Sequence, residues 1–215
     1  DVIPLLQVYA QLNEELIANG KLDWVLEEGR SAVEIASSDG PAPHLRIKSA
    51  WKLAPRELAL LARICQWREE RAVRSDKPRG WILKDPVCLE LARQSPTNIQ
   101  ALRLVKDLPS AVVRKQGEQL LDLVDEVEGL AEEEWPRPMP RPLDAAQRDQ
   151  LKALKKMAAG IAEELGIAPE ALMPSKDYEL LLRHSNGESI DLPSRWSGWR
   201  QQNVIQPLLL ATGKA

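Results

Sequence analysis

The side chains with chemistry to offer are mostly cations. Residues 46–84 hold eleven Lys/Arg against four Asp/Glu, a net of +7. Arg68, Arg71, Arg74, Lys77, Arg79 and Lys84 form its dense part, with Trp67 and Trp81 interleaved. Lys and Arg neutralise phosphates, and an exposed Trp stacks on a base. That is the chemistry of holding a nucleic acid rather than of cleaving one. Solvated helix faces with both rings in the core are the competing reading. Trp67 reads as core, whereas Trp81 follows Pro78-Arg79-Gly80 in an expected loop and fits either role. A second basic stretch, 137–156, has six Lys/Arg against two Asp/Glu, a net of +4, and adds Lys152, Lys155 and Lys156 as phosphate contacts.

Groups that make or break bonds are scarce. His44 and His184 have no Cys or acidic partners at the spacing a zinc site needs. Cys65 and Cys88 sit among apolar residues and read as small buried hydrophobes. Neither a Gly-rich phosphate loop nor a Gly-x-Ser-x-Gly elbow occurs. Residues 118–134 carry eight Asp/Glu and no Lys/Arg, a net of -8. Glu132, Glu133 and Glu134 are consecutive and cannot share one face of a helix, so the block reads as solvated surface rather than a metal site. The net charge of -3, from 29 Lys/Arg and 32 Asp/Glu, therefore conceals segregated blocks.

A chain of 215 residues is enough for one large or two small domains, and 44% hydrophobic residues suit a globular protein. No run of 18 apolar residues occurs, so no membrane-spanning helix is expected. Two cysteines imply no disulfide framework and suggest a reducing compartment, hence the cytoplasm. The chain opens on Asp1 without an initiator Met, which suggests a piece of a longer protein.

The elements that must position these residues read as all-α. Pro55, Pro86 and Pro169 each open a stretch rich in Leu, Ala and Glu, in the first turn where a missing N–H costs nothing. Helices are expected over 2–19, 23–37, 55–74, 85–94, 99–105, 110–127, 143–165, 169–172, 175–183 and 198–210. Gly20 and Gly166 serve as stops, and Pro207 bends or ends the last helix. Leu58, Leu61, Ala62 and Cys65 repeat at i, i+3, i+4 and i+7 and predict a buried stripe. Pro-Arg-Pro-Met-Pro-Arg-Pro at 136–142 forbids a helix and predicts an extended spacer of about 20 Å. A proline-recognition ligand is the alternative for that stretch.

Two segments resemble the HRDC domain, a helical module known from RecQ-type helicases and from ribonuclease D. The first carries Trp67-Arg68 with Ala72, then Pro78, then Ile82-Leu83 with Asp85, then Leu91-Ala92 with Pro96. The second, more divergent, carries Leu165-Gly166-Ile167-Ala168-Pro169 through Ser175, then Leu192-Pro193 and Gly198-Trp199-Arg200. Two copies without a zinc-bearing module resemble the ribonuclease D arrangement more than a helicase tail. The opening Asp1-Val2-Ile3-Pro4 resembles the segment that begins at the last catalytic Asp of that family.

The resemblance implies an organisation. Residues 1–40 would close an exonuclease domain, 41–132 would be one HRDC-like bundle, 133–143 a Pro-rich linker and 144–215 a second bundle. It also implies a parent 3′→5′ exoribonuclease that processes tRNA, with two divalent ions, Mg or Mn, held by four carboxylates. Asp1 would be one of the four and thus both catalytic and metal-binding. The fragment alone is expected to bind no cofactor and to be inactive. Its partners would be RNA, such as tRNA precursors, and its own N-terminal exonuclease domain. A helical protein-interaction module is the rival from a different class, because fold alone does not fix function.

Overall fold

The computed structural model describes residues 2–37 and 42–212. Among the described residues there are only helices, turns and loops, as the proline and glycine punctuation predicts. No helix there is long and apolar enough to cross a membrane. The chain divides into two compact units, 39–142 on one side and 1–38 with 143–215 on the other.

The 39–142 unit is built on α3 (Pro55–Ser75), which Pro55 opens and Asp76 closes in a left-handed conformation, φ 48°. A one-turn helix α4 (Arg79–Ile82) stands where the sequence predicts a loop. Then come α5 (Asp85–Gln94), α6 (Ile99–Leu104) and α7 (Ser110–Glu128). Asn98 caps α6, its side chain accepting from the Ala101 N–H at 2.9 Å. Leu58, Leu61 and Cys65 lie in the core as their spacing predicts, joined by Ile64, Trp67, Val87, Leu91, Leu102, Leu120 and Val124. Gly117 lets α6 approach α7: a Cβ there would stand 2.8 Å from Ile99 Cδ1.

The Pro-rich stretch is non-helical, as expected, but it is not a free rod. Trp135, just before the first proline, and Met139, between two of them, pack against the core of this unit. Leu143 already belongs to the other core.

The second unit contains α1 (Val2–Ala18), α2 (Leu22–Ser37), α8 (Ala145–Leu165), α9 (Pro169–Leu172), α10 (Ser175–Ser185) and α11 (Gln206–Ala211). Gly20 and Gly166 end their helices at φ 65° and 61°, where a Cβ would be strained. Pro207 does not end the last helix. One π-helical turn, Gln201–Ile205, precedes α11 and places Pro207 in that helix's first turn, where its lost N–H is harmless.

Residues 2–37 do not stand apart from the C-terminal bundle. Trp24 of α2 stacks on Trp199, ring centroids 4.7 Å apart and planes within 6°. Trp199 Nε1 donates to Glu28 at 2.9 Å, and the buried Arg200 pairs with the same carboxylate. Gly198, at φ 61°, lies against Glu27 where a Cβ would overlap the carboxylate. By contrast α1 leaves Leu5, Leu6, Val8, Tyr9, Leu12 and Ile17 more than half exposed.

One regularity is common to the two units. Helices α8, α9 and α10 start at 145, 169 and 175, each 90 positions after α3, α4 and α5 at 55, 79 and 85. The pairs Ile64/Leu154, Ala72/Ala162, Leu83/Met173 and Leu91/Leu181 are buried at the same spacing. The same spacing of helices and buried positions is thus written twice in the chain.

Candidate nucleic-acid interface

The basic residues singled out above fall into three classes once burial and partners are known. Arg68 leaves the set. Its position on α3 turns it into the core, with the side chain 1% exposed. One guanidinium nitrogen, Nη1, donates to the Leu83 carbonyl at 3.0 Å and to Asp85 Oδ1 at 2.7 Å. Burial works against the Arg68 charge, and Cys88 and Asp85 more than offset it, so its pKa lies above the ordinary arginine value. Arg68 Nε is buried without a partner. The residue ties α3 to the start of α5 and cannot reach a phosphate.

The second class is exposed or half-exposed but engaged. Arg74 lies 3.9 Å from Glu70, and Arg79 lies 3.3 Å from Glu69. Arg71 sits 5.9 Å over the Trp67 ring. Lys155 of α8 donates to Ser175 Oγ at 2.8 Å and lies 5.8 Å over Tyr178. Exposed pairs of this kind are worth about 0–1 kcal/mol, so a phosphate can displace them.

The third class is free. Lys77 and Lys84 of the first unit, and Lys152 and Lys156 of α8, are exposed, and their ammonium groups make no ion pair or hydrogen bond among the described residues. Trp81 belongs with them. Its ring is 77% exposed because α4 is a single turn that carries it outward. It walls an open groove of about 820 Å³ with Ile82, Lys84, Val87 and Pro109. Trp67 is buried instead, with Nε1 donating to Gln119 at 3.2 Å. An exposed indole, a free ammonium and an apolar floor can hold a stacked base and its phosphate.

Asp1 lies outside the described residues. Among the described residues, no three His, Cys, Asp or Glu side chains converge as metal ligands would. Cys65 and Cys88 are fully buried against each other. The hydrogen bond from Cys88 lowers the Cys65 pKa, while the same bond and burial push Cys88 up.

Sequence reasoning overlooks a further set of cations, Arg103, Lys106, Arg114 and Lys115. They are exposed and unpaired among the described residues, on and between α6 and α7. The signal is present as four Lys/Arg against the single Asp107 over 103–115, overshadowed by the acidic block that starts at Glu118.

Comparison with known proteins adds to this geometry. The HRDC domain family matches residues 57–124, which run from α3 into α7. Ribonuclease D of Pseudomonas paraeruginosa is 35% identical over 218 residues, covering 100% of this chain and 58% of that protein. Ribonuclease D of Escherichia coli is 28% identical over 214 residues, covering 97% and 56%. The crystal structure of the Escherichia coli enzyme, described as an exoribonuclease involved in structured RNA processing, superposes with a TM-score of 0.78 at 28% identity. It covers 96% of this chain and 57% of that one. A protein from Bifidobacterium adolescentis shares the fold, with a TM-score of 0.54 at 16% identity. The chain thus spans little more than half the length of the curated relatives it matches.

Proposed function

Because the chain belongs to the ribonuclease D family, we propose that it is the RNA-holding part of a 3′→5′ exoribonuclease. In this reading it grips structured RNA, such as a tRNA precursor, and presents the 3′ end to a catalytic domain that the chain does not include. The divalent metal of the family would be bound in that domain, with Asp1 as one ligand among several. The chain's own residues bind and orient. Exposed Trp81 beside free Lys84 is the observation that carries the proposal, since an indole 77% exposed serves no packing role. Recognition would rest on backbone and shape with stacked single-stranded bases, as is usual for RNA.

The repeat at a 90-residue interval supports reading α8–α10 as the core of a second HRDC-like domain. The Pseudomonas and Escherichia relatives named above are ribonucleases D, which favours this parentage over a helicase tail. The exposed apolar residues of α1 support a second role. Leu5, Leu6, Tyr9 and Leu12 would be covered by the catalytic domain, since contiguous exposed apolar surface marks an interaction site.

Fluorescence anisotropy of labelled tRNA over a KCl series tests the RNA reading. Binding is expected to weaken steeply with salt, because phosphate contacts release counterions. Replacing Lys77 and Lys84 with Ala should flatten the salt slope, and Trp81→Ala should lower affinity without changing it. No binding at low salt would leave the helical interaction module as the better account.

A further inference from the structure

We propose that the groove between α6 and α7 takes the phosphodiester backbone of a single-stranded RNA segment, continuing the track that starts at Trp81. The inference rests on the RNA-binding reading above and names a second contact site for it.

The groove has a volume of about 730 Å³ and is lined by Ile99, Arg103, Leu108, Arg114, Lys115 and Gln116. Its cations differ from others in the same unit. Arg56, Arg74, Arg79 and Arg93 each sit within 4 Å of a glutamate. Arg103, Arg114 and Lys115 are exposed and have no such partner among the described residues. Glu118 and Gln119 also line the groove, so one carboxylate stands against three cations. A concave surface lined by one sign of charge concentrates ligands of the other sign.

A second observation points to a ligand. Gln116 is 8% exposed, lines the groove, and its side chain makes no hydrogen bond among the described residues. Its amide therefore reaches the groove and is open to a ligand oxygen there. The 19-residue helix α7 also begins here, with Ser110 at the rim, so its positive end favours an anion.

The connection between α6 and α7 joins this groove to the one at Trp81. Asp107 and Pro109 line the Trp81 groove, whereas Leu108 and Ser110 line the cationic one. The alternation makes the segment a shared rim, with stacking on one side and charge on the other. A strand crossing that rim would place a base on Trp81 and its neighbouring phosphates on Arg103, Arg114 and Lys115. Duplex RNA offers no unstacked base for the indole, so the occupant is single-stranded.

The test uses the 215-residue chain and a 5′-fluorescein-labelled 12-nucleotide oligouridylate, titrated by anisotropy at several KCl concentrations. The variant Arg103→Ala/Arg114→Ala/Lys115→Ala is expected to reduce the slope of log K against log salt by about 2, at roughly 0.7 per phosphate no longer neutralised. Gln116→Leu should weaken binding and leave the slope unchanged. Lys115 should be protected from acetylation by the oligonucleotide in the unaltered protein, a readout that needs no variant to fold. If the triple variant keeps affinity and slope, or Lys115 is acetylated equally with and without RNA, the groove assignment is overturned. Loss of binding in Trp81→Ala alone would then leave the general RNA reading standing. If the unaltered chain binds neither tRNA nor the oligonucleotide, both readings fall together.

Discussion

Replacing Asp85 with alanine would strand a charge in the core of the 39–142 unit. Arg68 is 1% exposed and Asp85 49% exposed, with 2.7 Å between Nη1 and Oδ1. A hydrogen bond to a charged group contributes about 1.5–3 kcal/mol. Breaking a fully buried pair by removing one partner costs about 3–5 kcal/mol. Here Asp85 is half in water and is screened, and Arg68 keeps the Leu83 carbonyl at 3.0 Å, so the cost falls below that range. We expect Asp85→Ala to destabilise the unit by about 2–3 kcal/mol. Arg68→Met removes the charge together with its need for a partner and should cost less than about 1 kcal/mol. The double variant should then recover most of the Asp85→Ala loss, since the two sites are in contact and not additive. With two units in the chain, a global melt is not a two-state measurement. Hydrogen exchange read by mass spectrometry resolves the effect locally. Amides of α3 and α5 should open about 30- to 150-fold more often in Asp85→Ala, while α10 stays protected. Equal losses in Asp85→Ala and Arg68→Met, or equal losses in α5 and α10, would refute the reasoning.

Further outcomes rest on the same physics. Gly198→Ala forces a Cβ into a left-handed conformation at a cost of about 1–2 kcal/mol and displaces Glu27, so exchange in α2 should rise. Trp67→Ala should destabilise by about 3–5 kcal/mol as a core cavity, seen in denaturant titration, whereas Trp81→Ala should leave stability unchanged. Burial lowers the pKa of His44 below the ordinary histidine value of 6.5, so at acid pH the unfolded chain binds more protons than the folded one. Stability should be full above that pH and fall as pH drops through the lower folded value, and His44→Gln should remove this acid-side loss.

Most helix boundaries can be read from local signals. Pro55 and Pro169 open α3 and α9, Gly20 and Gly166 stop α1 and α8, and the structure places each of them there. Such signals are legible because caps and breakers act on their nearest neighbours along the chain. The one-turn helix α4 escapes sequence reading because a single turn between Pro78 and Leu83 is too short for periodicity. The grouping of residues 2–37 with the C-terminal bundle is not legible either. The Trp199–Glu28 bond joins positions 171 residues apart, and no local pattern carries such a pairing.

The candidate site divides in the same way. The sequence by itself determined that cations and indoles gather around 67–84, that the chain is helical and that it resembles the HRDC module. Only the tertiary structure decided which of those residues face water. Arg68 and Trp67 turn inward and Trp81 outward, although all three stand within a 15-residue stretch. Residue type fixes what a side chain can do, and burial fixes whether a partner can reach it. Burial is set by what the rest of the chain packs against each face.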